Sequence, residues 1–193
     1  MITEHHFPTM IYIKDLPDSE KLNKYLEDHI MRWSQNDKGV SKTNAGGWHS
    51  STDMNQKEEY NPLTRELFNM QEEIYQKENL SKKPVCGNMW ANINYPGCFN
   101  RPHIHPNSLF SGVYFIKTPQ KSGNLMVYDP RPGIQMSMPS RKKEQLQPEL
   151  WREVHYEPKA GRCIMFPSWL WHEVKPNQSN DIRISVSFNF LQR

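Results

Sequence analysis

The chain has 193 residues, of which 36% are hydrophobic, 11% aromatic and 23% charged, and its formal net charge is +3. This length and hydrophobic content suit one globular domain with a sizeable core and exclude an intrinsically disordered chain. The weak net charge argues against a nucleic-acid binder, which usually presents a concentrated basic face; the one dense basic run is Arg141-Lys142-Lys143.

The N-terminal part, residues 1–83, is predicted to hold one strand, two helices and a long loop. Alternating side chains around β-branched residues predict a strand within 6–16. Apolar residues at helical spacing predict a helix over 19–34 and a second over 61–79, with a proline in the first turn of the second. The polar, glycine-containing segment 35–60 between them is predicted to be a loop.

From residue 84 to residue 193 the pattern changes to short β-rich runs separated by turn residues. The runs are CGNMWANINY, SLFSGVYFIKT, NLMVYD, WREVHYEP, RCIMFP, HEVKP and RISVSFNF. Many short strands at regular spacing predict a sandwich or a jelly-roll barrel, with the two helices covering one sheet. The polar segment 131–150 is predicted to be a loop. We therefore expect a single mainly-β (α+β) domain over 1–193.

Cysteine content and hydropathy bear on the cellular compartment. Cys86, Cys98 and Cys163 form no Cys-x-x-Cys pair, which argues against a disulfide framework and a structural zinc site. No run approaches the ~20 apolar residues of a membrane span, and the N-terminal residues lack the apolar stretch of a signal peptide. We therefore expect a cytoplasmic protein with no membrane partner.

Three histidines form a candidate metal site. His103 and His105 are a His-x-His pair in NRPHIHP, and His172 follows in FPSWLWHEV. In an extended segment, side chains two residues apart point the same way, and antiparallel pairing can bring a distant strand alongside. Imidazole is a good ligand for Fe(II), and three protein ligands on one face of the metal leave positions open for chemistry.

An arginine follows these histidines on the last predicted strand, RISVSFNF. Arg183, Ser185, Ser187 and Asn189 share its polar face, and apolar residues form the other face. Such a strand can lie at the surface with its polar face in water. Alternatively, the polar face lines a cavity inside a barrel, where the arginine fork would grip a carboxylate through two parallel hydrogen bonds.

Four strings carry a resemblance to a known family: WANINYPGCFNRPHIHPNSLFSGVYF, GNLMVYDPR, GRCIMFPSWLWHEVKPN and RISVSFNF. They resemble the 2-oxoglutarate/Fe(II) oxygenases of marine bacteria and their phages, in the prolyl-hydroxylase-like branch of double-stranded β-helix enzymes. The resemblance covers residues 84–193 together with FPTMIYIKDL and GGWHS nearer the N-terminus. It implies a double-stranded β-helix core at 84–193, one Fe(II), 2-oxoglutarate and O2 as co-substrates, and hydroxylation with release of succinate and CO2.

The chain departs from the wider superfamily at one ligand position. The superfamily pattern is His-x-Asp/Glu and then a distant histidine, whereas this chain has His105 in place of the carboxylate. Three interpretations stay open: a three-histidine site, a site in which Asp129 of VYDPR supplies the carboxylate, or a site held by His103 and His172 alone. We favour the three histidines and keep Asp129 as the alternative.

The resemblance also implies which residues bind the co-substrate 2-oxoglutarate. It implies no catalytic residue beyond the metal ligands. Arg183 is expected to pair with the far carboxylate of 2-oxoglutarate, helped by Ser185 or Tyr114. The candidates for substrate contact are Asn92 and Asn94, which alternate on the strand leading into the histidine pair, and Trp48 and His49 of the glycine-rich loop. The alternative for the two asparagines is a structural role at a strand edge or turn.

Two other functions are compatible with the same residues. One is a cupin-like three-histidine metalloenzyme that does not use 2-oxoglutarate, and the other is a non-catalytic jelly-roll binding module with structural histidines. The substrate of an oxygenase is left open among a protein side chain, a nucleotide and a small molecule, with segment 131–150 as a candidate for its selection. The predicted strand edges are compatible with a homodimer.

Overall fold

The computed structural model describes residues 1–137, 139–142 and 146–192. Within these ranges the chain forms two α-helices and eleven β-strands. In chain order these are β1 (Tyr12–Asp15), α1 (Ser19–Asn36), β2 (Asn44–Ala45), β3 (Trp48–His49), α2 (Asn61–Lys77), β4 (Pro84–Asn94), β5 (Phe99–His103), β6 (Phe110–Lys117), β7 (Leu125–Tyr128), β8 (Glu153–Tyr156), β9 (Arg162–Pro167), β10 (His172–Val174) and β11 (Arg183–Gln192).

The strands form two antiparallel sheets. The larger sheet has the order β1-β9-β6-β11-β4-β3, and the smaller sheet has the order β2-β5-β10-β7-β8. Strands that follow one another in sequence therefore alternate between the two sheets along much of the chain, as in a jelly roll. The predicted mainly-β fold with a double-stranded β-helix core is confirmed.

The two faces of β11 have different environments, and this difference creates the pocket. Ile184, Val186 and Phe188 belong to the core that α1 and α2 form against the larger sheet. Ser185 and Ser187 point to the opposite side and line a cavity between the sheets. The cavity interpretation of the polar face is therefore correct, and both helices pack on one sheet as predicted. In the described ranges, neither helix is both long and apolar enough to cross a membrane.

Several element bounds differ from those predicted from sequence. The first strand is shorter than 6–16, and the predicted loop 35–60 contains β2, β3 and two short 3-10 helices. Strand β5 was not predicted, because its sequence FNRPH is polar and contains a proline, which weakens a strand pattern. The loop prediction for 131–150 is tested only in part, since residues 138 and 143–145 of that segment, including Lys143 of the basic run, lie outside the described residues.

A glycine in β6 permits the close packing of the larger sheet. A Cβ atom added at Gly112 would lie 2.6 Å from Cε2 of Phe188 and 2.8 Å from the carbonyl oxygen of Ile164. Neither the buried ring nor the β9 backbone can move away without disturbing the core. Gly112 thus lets β6 and β9 pack beneath Phe188.

We expect Gly112→Ala to lower the free energy of unfolding by about 1–3 kcal/mol through overpacking. Urea denaturation followed by circular dichroism measures this change. Gly133→Ala is the control, because a Cβ atom there meets no atom of the described part of the chain within 4 Å. Equal unfolding midpoints for the two variants would contradict the packing argument.

Candidate active site

Strand pairing brings the three histidines together. His103 is the last residue of β5 and His172 is the first of β10, and the antiparallel register places them directly opposite each other. His105 lies two residues beyond the end of β5. The distances between ring centroids are 4.3 Å for His103–His172, 4.9 Å for His103–His105 and 5.1 Å for His105–His172.

The nitrogen atoms of these rings have the spacing of metal ligands. One ligand atom from each of His103, His105 and His172 lies within 4.8 Å of the others. The Nε2 atoms of His105 and His172 are 3.2 Å apart. Two nitrogen ligands at about 2.1 Å from one ion lie about 3 Å apart at neighbouring coordination positions. The three rings therefore fit a single cation.

Backbone carbonyl groups fix the tautomers of two of the rings. Nδ1 of His103 donates to the carbonyl oxygen of Arg101 over 2.6 Å, and Nδ1 of His172 donates to that of Leu170 over 2.8 Å. Because each Nδ1 carries the proton, each Nε2 keeps a free lone pair. Such hydrogen bonds to the second nitrogen orient a metal-binding imidazole.

Burial keeps the three imidazoles neutral. Loss of hydration, with repulsion from His103 as a smaller cause, lowers the pKa of His105 to about 4 and that of His172 to about 3. Burial also lowers the pKa of His103. All three rings are therefore in the deprotonated form that binds metal at neutral pH.

Arg183 is a buried cation in the wall of the same cavity. Its guanidinium donates to the carbonyl oxygens of Ser122 and Gly123 and to Oδ1 of Asn94, and the residue is 1% exposed. Burial lowers its pKa to about 10, which leaves it charged at neutral pH. Among the described residues, no carboxylate forms an ion pair with it, and its Nε has no hydrogen-bond partner.

A buried charge of this kind is costly unless an anion pairs with it. The cavity that Arg183 shares with the histidines is therefore suited to an acidic ligand. Polar and apolar side chains complete the wall, among them Trp90, Asn92, Asn100, Val113, Phe115, Phe166, Ser185 and Ser187.

A known family accounts for this combination of sites. Residues 88–189 match the family described as "Putative 2OG-Fe(II) oxygenase". The chain belongs to this 2-oxoglutarate/Fe(II) oxygenase family. The matched range contains all three histidines and Arg183. No protein with a curated description matches the chain.

Solved structures share the fold of the oxygenase at low sequence identity. A prolyl-4-hydroxylase from Pseudomonas putida is 19% identical with a TM-score of 0.68, covering 96% of this chain and 94% of its own. A prolyl hydroxylase from Trichoplax adhaerens, in complex with a hypoxia inducible factor peptide fragment, is 13% identical with a TM-score of 0.68 (94% and 83% covered). The 2-oxoglutarate-dependent epimerase SnoN from nogalamycin biosynthesis is 13% identical with a TM-score of 0.70 (95% and 77% covered).

The alternative carboxylate ligand is not part of the metal group of the oxygenase. Both carboxylate oxygens of Asp129 bind Arg131, and Arg152 lies 3.6 Å from one of them. These arginines hold the pKa of Asp129 below its usual range. Asp129 leaves β7 toward this arginine pair and does not join the group of histidines, so the structure favours the three-histidine interpretation.

Tyr114, predicted to help bind the co-substrate, lies on the other side of the larger sheet from the cavity. Alternate residues of β6 face opposite sides of the larger sheet, so that Val113 and Phe115 line the cavity and Tyr114 lies under the helices. Its hydroxyl donates to Oδ1 of Asn23 in α1 over 2.6 Å. Tyr114 therefore anchors a helix and cannot contact a ligand in the cavity.

The two candidates in the glycine-rich loop do not cover the cavity. Trp48 donates its indole N–H to the carbonyl oxygen of Asp37 and packs against Trp33 in the helix-side core. His49 is buried and stacks on Trp90, with ring centroids 5.5 Å apart and planes 10° apart. His49 therefore supports a cavity wall from outside, because Trp90 lines the cavity and lies 5.8 Å from the ring of His105.

The two asparagine candidates have different positions. Asn92 lines the cavity, donates to Oγ of Ser187 over 3.2 Å, and has a buried Oδ1 without a partner among the described residues. Asn94 is instead committed to Arg183. Trp90 was missed from sequence, although its position two residues before Asn92 places it on the same face of β4.

We expect His105→Ala to lower Fe(II) affinity by more than about 100-fold, since it removes one of three ligands. Anaerobic calorimetric titration with Fe(II) measures this. His105→Asp should restore most of the affinity, because a carboxylate is also a ligand for Fe(II). His155→Ala, which removes an exposed histidine, is the control. Wild-type affinity in His105→Ala would show that His105 is not a ligand.

Proposed function

We propose that His103, His105 and His172 hold one Fe(II) ion and that Arg183 and Ser185 bind the far carboxylate of 2-oxoglutarate. The observation that carries this proposal is a buried arginine, with no carboxylate partner among the described residues, in the same cavity as three neutral histidines. Neither feature alone requires an oxygenase. Their combination provides what an enzyme of this family requires: a metal site with open coordination positions and a cationic group that binds an acidic co-substrate.

Bound Fe(II) supplies, with 2-oxoglutarate and O2, the oxidation of a substrate C–H bond to C–OH, with succinate and CO2 as co-products. The protein contributes orientation and exclusion of water. Val113, Phe115 and Phe166 line the cavity with apolar surface. They keep the charged co-substrate in a low-dielectric environment, in which its attraction to Arg183 is strong.

Arg183 is held ready for the co-substrate by the strand pairing around it. Asn94 lies opposite Arg183 in the β4–β11 register, and the Ser122–Gly123 turn accepts from the same side chain. These acceptors are uncharged, so they orient the guanidinium without neutralising it. The positive charge therefore stays available for a carboxylate.

A three-histidine ligand set also favours an anionic co-substrate. Neutral imidazole at position 105 leaves the metal centre one unit more positive than the carboxylate of the wider superfamily would. A dianionic 2-oxo acid offsets this additional charge. This electrostatic match supports 2-oxoglutarate over an uncharged second substrate. The buried Arg183 in the same cavity argues against the cupin-like alternative, which has no acidic co-substrate to bind.

The primary substrate, which is oxidised together with 2-oxoglutarate, is a separate question from the co-substrate. The solved structures include a prolyl hydroxylase in complex with a peptide fragment and the epimerase SnoN in complex with nogalamycin RO, so the fold accommodates both peptide and small-molecule ligands. We propose a C–H bond in a protein side chain, a nucleotide or a small molecule as the target. Segment 131–150, which lies between β7 and β8, is our candidate for its selection.

We expect Arg183→Lys to raise the KM for 2-oxoglutarate by about 10–100-fold, because it loses charge-assisted hydrogen bonds worth about 1.5–3 kcal/mol. Uncoupled 2-oxoglutarate turnover measures this. The analogue 2-oxovalerate, which lacks the far carboxylate, should show nearly equal KM values in wild type and variant.

Arg162→Lys is the matched control, because Arg162 pairs with Asp15 away from the cavity. An unchanged KM for 2-oxoglutarate in a folded Arg183→Lys protein would contradict the assignment. An equal rise for both 2-oxo acids would also contradict it, since the defect would then not concern the far carboxylate.

A further inference from the structure

A chain of hydrogen bonds runs through polar side chains that no function above requires. The hydroxyl groups of Ser168 and Ser111 are 2.7 Å apart, and Ser111 donates to Oδ1 of Asn189 over 2.7 Å. Asn189 in turn donates to Oδ1 of Asn88 over 2.7 Å. Because the single proton of Ser111 is committed to Asn189, Ser168 must donate to Ser111. This series of hydrogen bonds therefore runs in one direction, from Ser168 to Asn88, and every side chain in it is bonded.

Three members of this series, Ser168, Ser111 and Asn189, are buried and Asn88 is half-buried, and none of the four lines the cavity. Ser168 is 0% exposed, Ser111 1% and Asn189 5%. Burying three polar side chains costs free energy that their mutual hydrogen bonds only offset. Apolar side chains of similar size would pack at these positions without that cost. A function in fixing geometry is therefore a better explanation than a function in packing.

Ser168 links this chain to the segment that carries His105. Its carbonyl oxygen accepts from the backbone N–H of His105 over 2.9 Å, and its own N–H donates to the carbonyl oxygen of Leu109 over 3.1 Å. The connection between β5 and β6 is thus held at two points by one residue. Leu109 also donates to the carbonyl oxygen of Phe190, which ties the connection to β11.

His105 needs such support more than the other two histidines do. His103 and His172 lie in paired strands, and each has an Nδ1 bonded to a backbone carbonyl. His105 lies outside any strand, and no described group bonds to its Nδ1. The position of its ring therefore depends on its backbone, and Ser168 holds that backbone.

We propose that Ser168 is a positioning residue for the metal centre, which, anchored by Ser111 and Asn189, holds His105 at ligand distance from His172. This inference rests on the proposed three-histidine ligand set. Removing the Ser168 hydroxyl breaks the side-chain bond that ties the turn between β9 and β10 to Ser111 and, through Ser111, to Asn189. The turn is then held by its backbone hydrogen bonds alone. His105 then moves relative to His172, while the fold, which rests on the helix-side core, is retained.

The test is anaerobic titration of Ser168→Ala with Fe(II), and with Co(II) as a spectroscopic probe. We expect Fe(II) affinity to fall by about 10–100-fold, the range for groups that orient metal ligands. The visible bands of the Co(II) protein should also change in intensity, because they report ligand geometry. Ser111→Ala, which removes the anchor without altering residue 168, should show the same changes.

Ser50→Ala is the matched control. Ser50 is also fully buried, and its hydroxyl accepts from the N–H of Ala91 and donates to the carbonyl oxygen of Ser51. It should lose stability to urea at least as much as Ser168→Ala but keep wild-type metal affinity and Co(II) spectrum. This separates a positioning effect from general destabilisation.

Wild-type Fe(II) affinity and Co(II) spectrum in Ser168→Ala would overturn the proposal, as would an equal loss of affinity in Ser50→Ala. The His105→Ala titration distinguishes this failure from failure of the ligand set. Loss of iron binding in His105→Ala with full binding in Ser168→Ala refutes only the positioning. Full binding in His105→Ala refutes the three-histidine site and the positioning together.

Discussion

The antiparallel pairing of β5 with β10 is the constraint on which the site depends. It places His172 directly opposite His103, although the two residues are far apart in sequence. The same strand β10 pairs on its other side with β7, so its position is fixed from both edges. A slip of one residue would turn His172 to the other face of the sheet and remove it from the cavity.

The larger sheet supplies the second half of the site through the two faces of β11. Its apolar face lies in the core under α1 and α2, and its polar face presents Arg183 and Ser185 to the cavity. Helix packing and the co-substrate binding that we propose for Arg183 thus depend on one strand. Burial has a separate consequence on each side of the cavity: it lowers the pKa values of the histidines and keeps them neutral, whereas Arg183 keeps its charge because its starting pKa is far higher.

Much of this arrangement could be predicted from the sequence. The alternation in RISVSFNF predicts both faces of β11, and the His-x-His spacing predicts two rings on one side of an extended segment. The sequence does not predict the orientation of residues that depends on packing or pairing partners elsewhere in the chain. Tyr114 lies on a strand that is buried on both sides, so alternation of polarity gives no signal for its direction. Asp129 follows a strand that does reach the site, but its local arginine partners compete for the carboxylate. Strand β5 has no β-rich composition, and only its pairing with β2 and β10 defines it.

The most direct test of the central claim is anaerobic addition of Fe(II) and 2-oxoglutarate, followed by visible absorption. The account predicts a weak charge-transfer band that requires both additions, because the metal and the 2-oxo acid occupy one cavity. The band should be absent in His172→Ala. Tight binding of Fe(II) with no band at any concentration of 2-oxoglutarate would contradict the account.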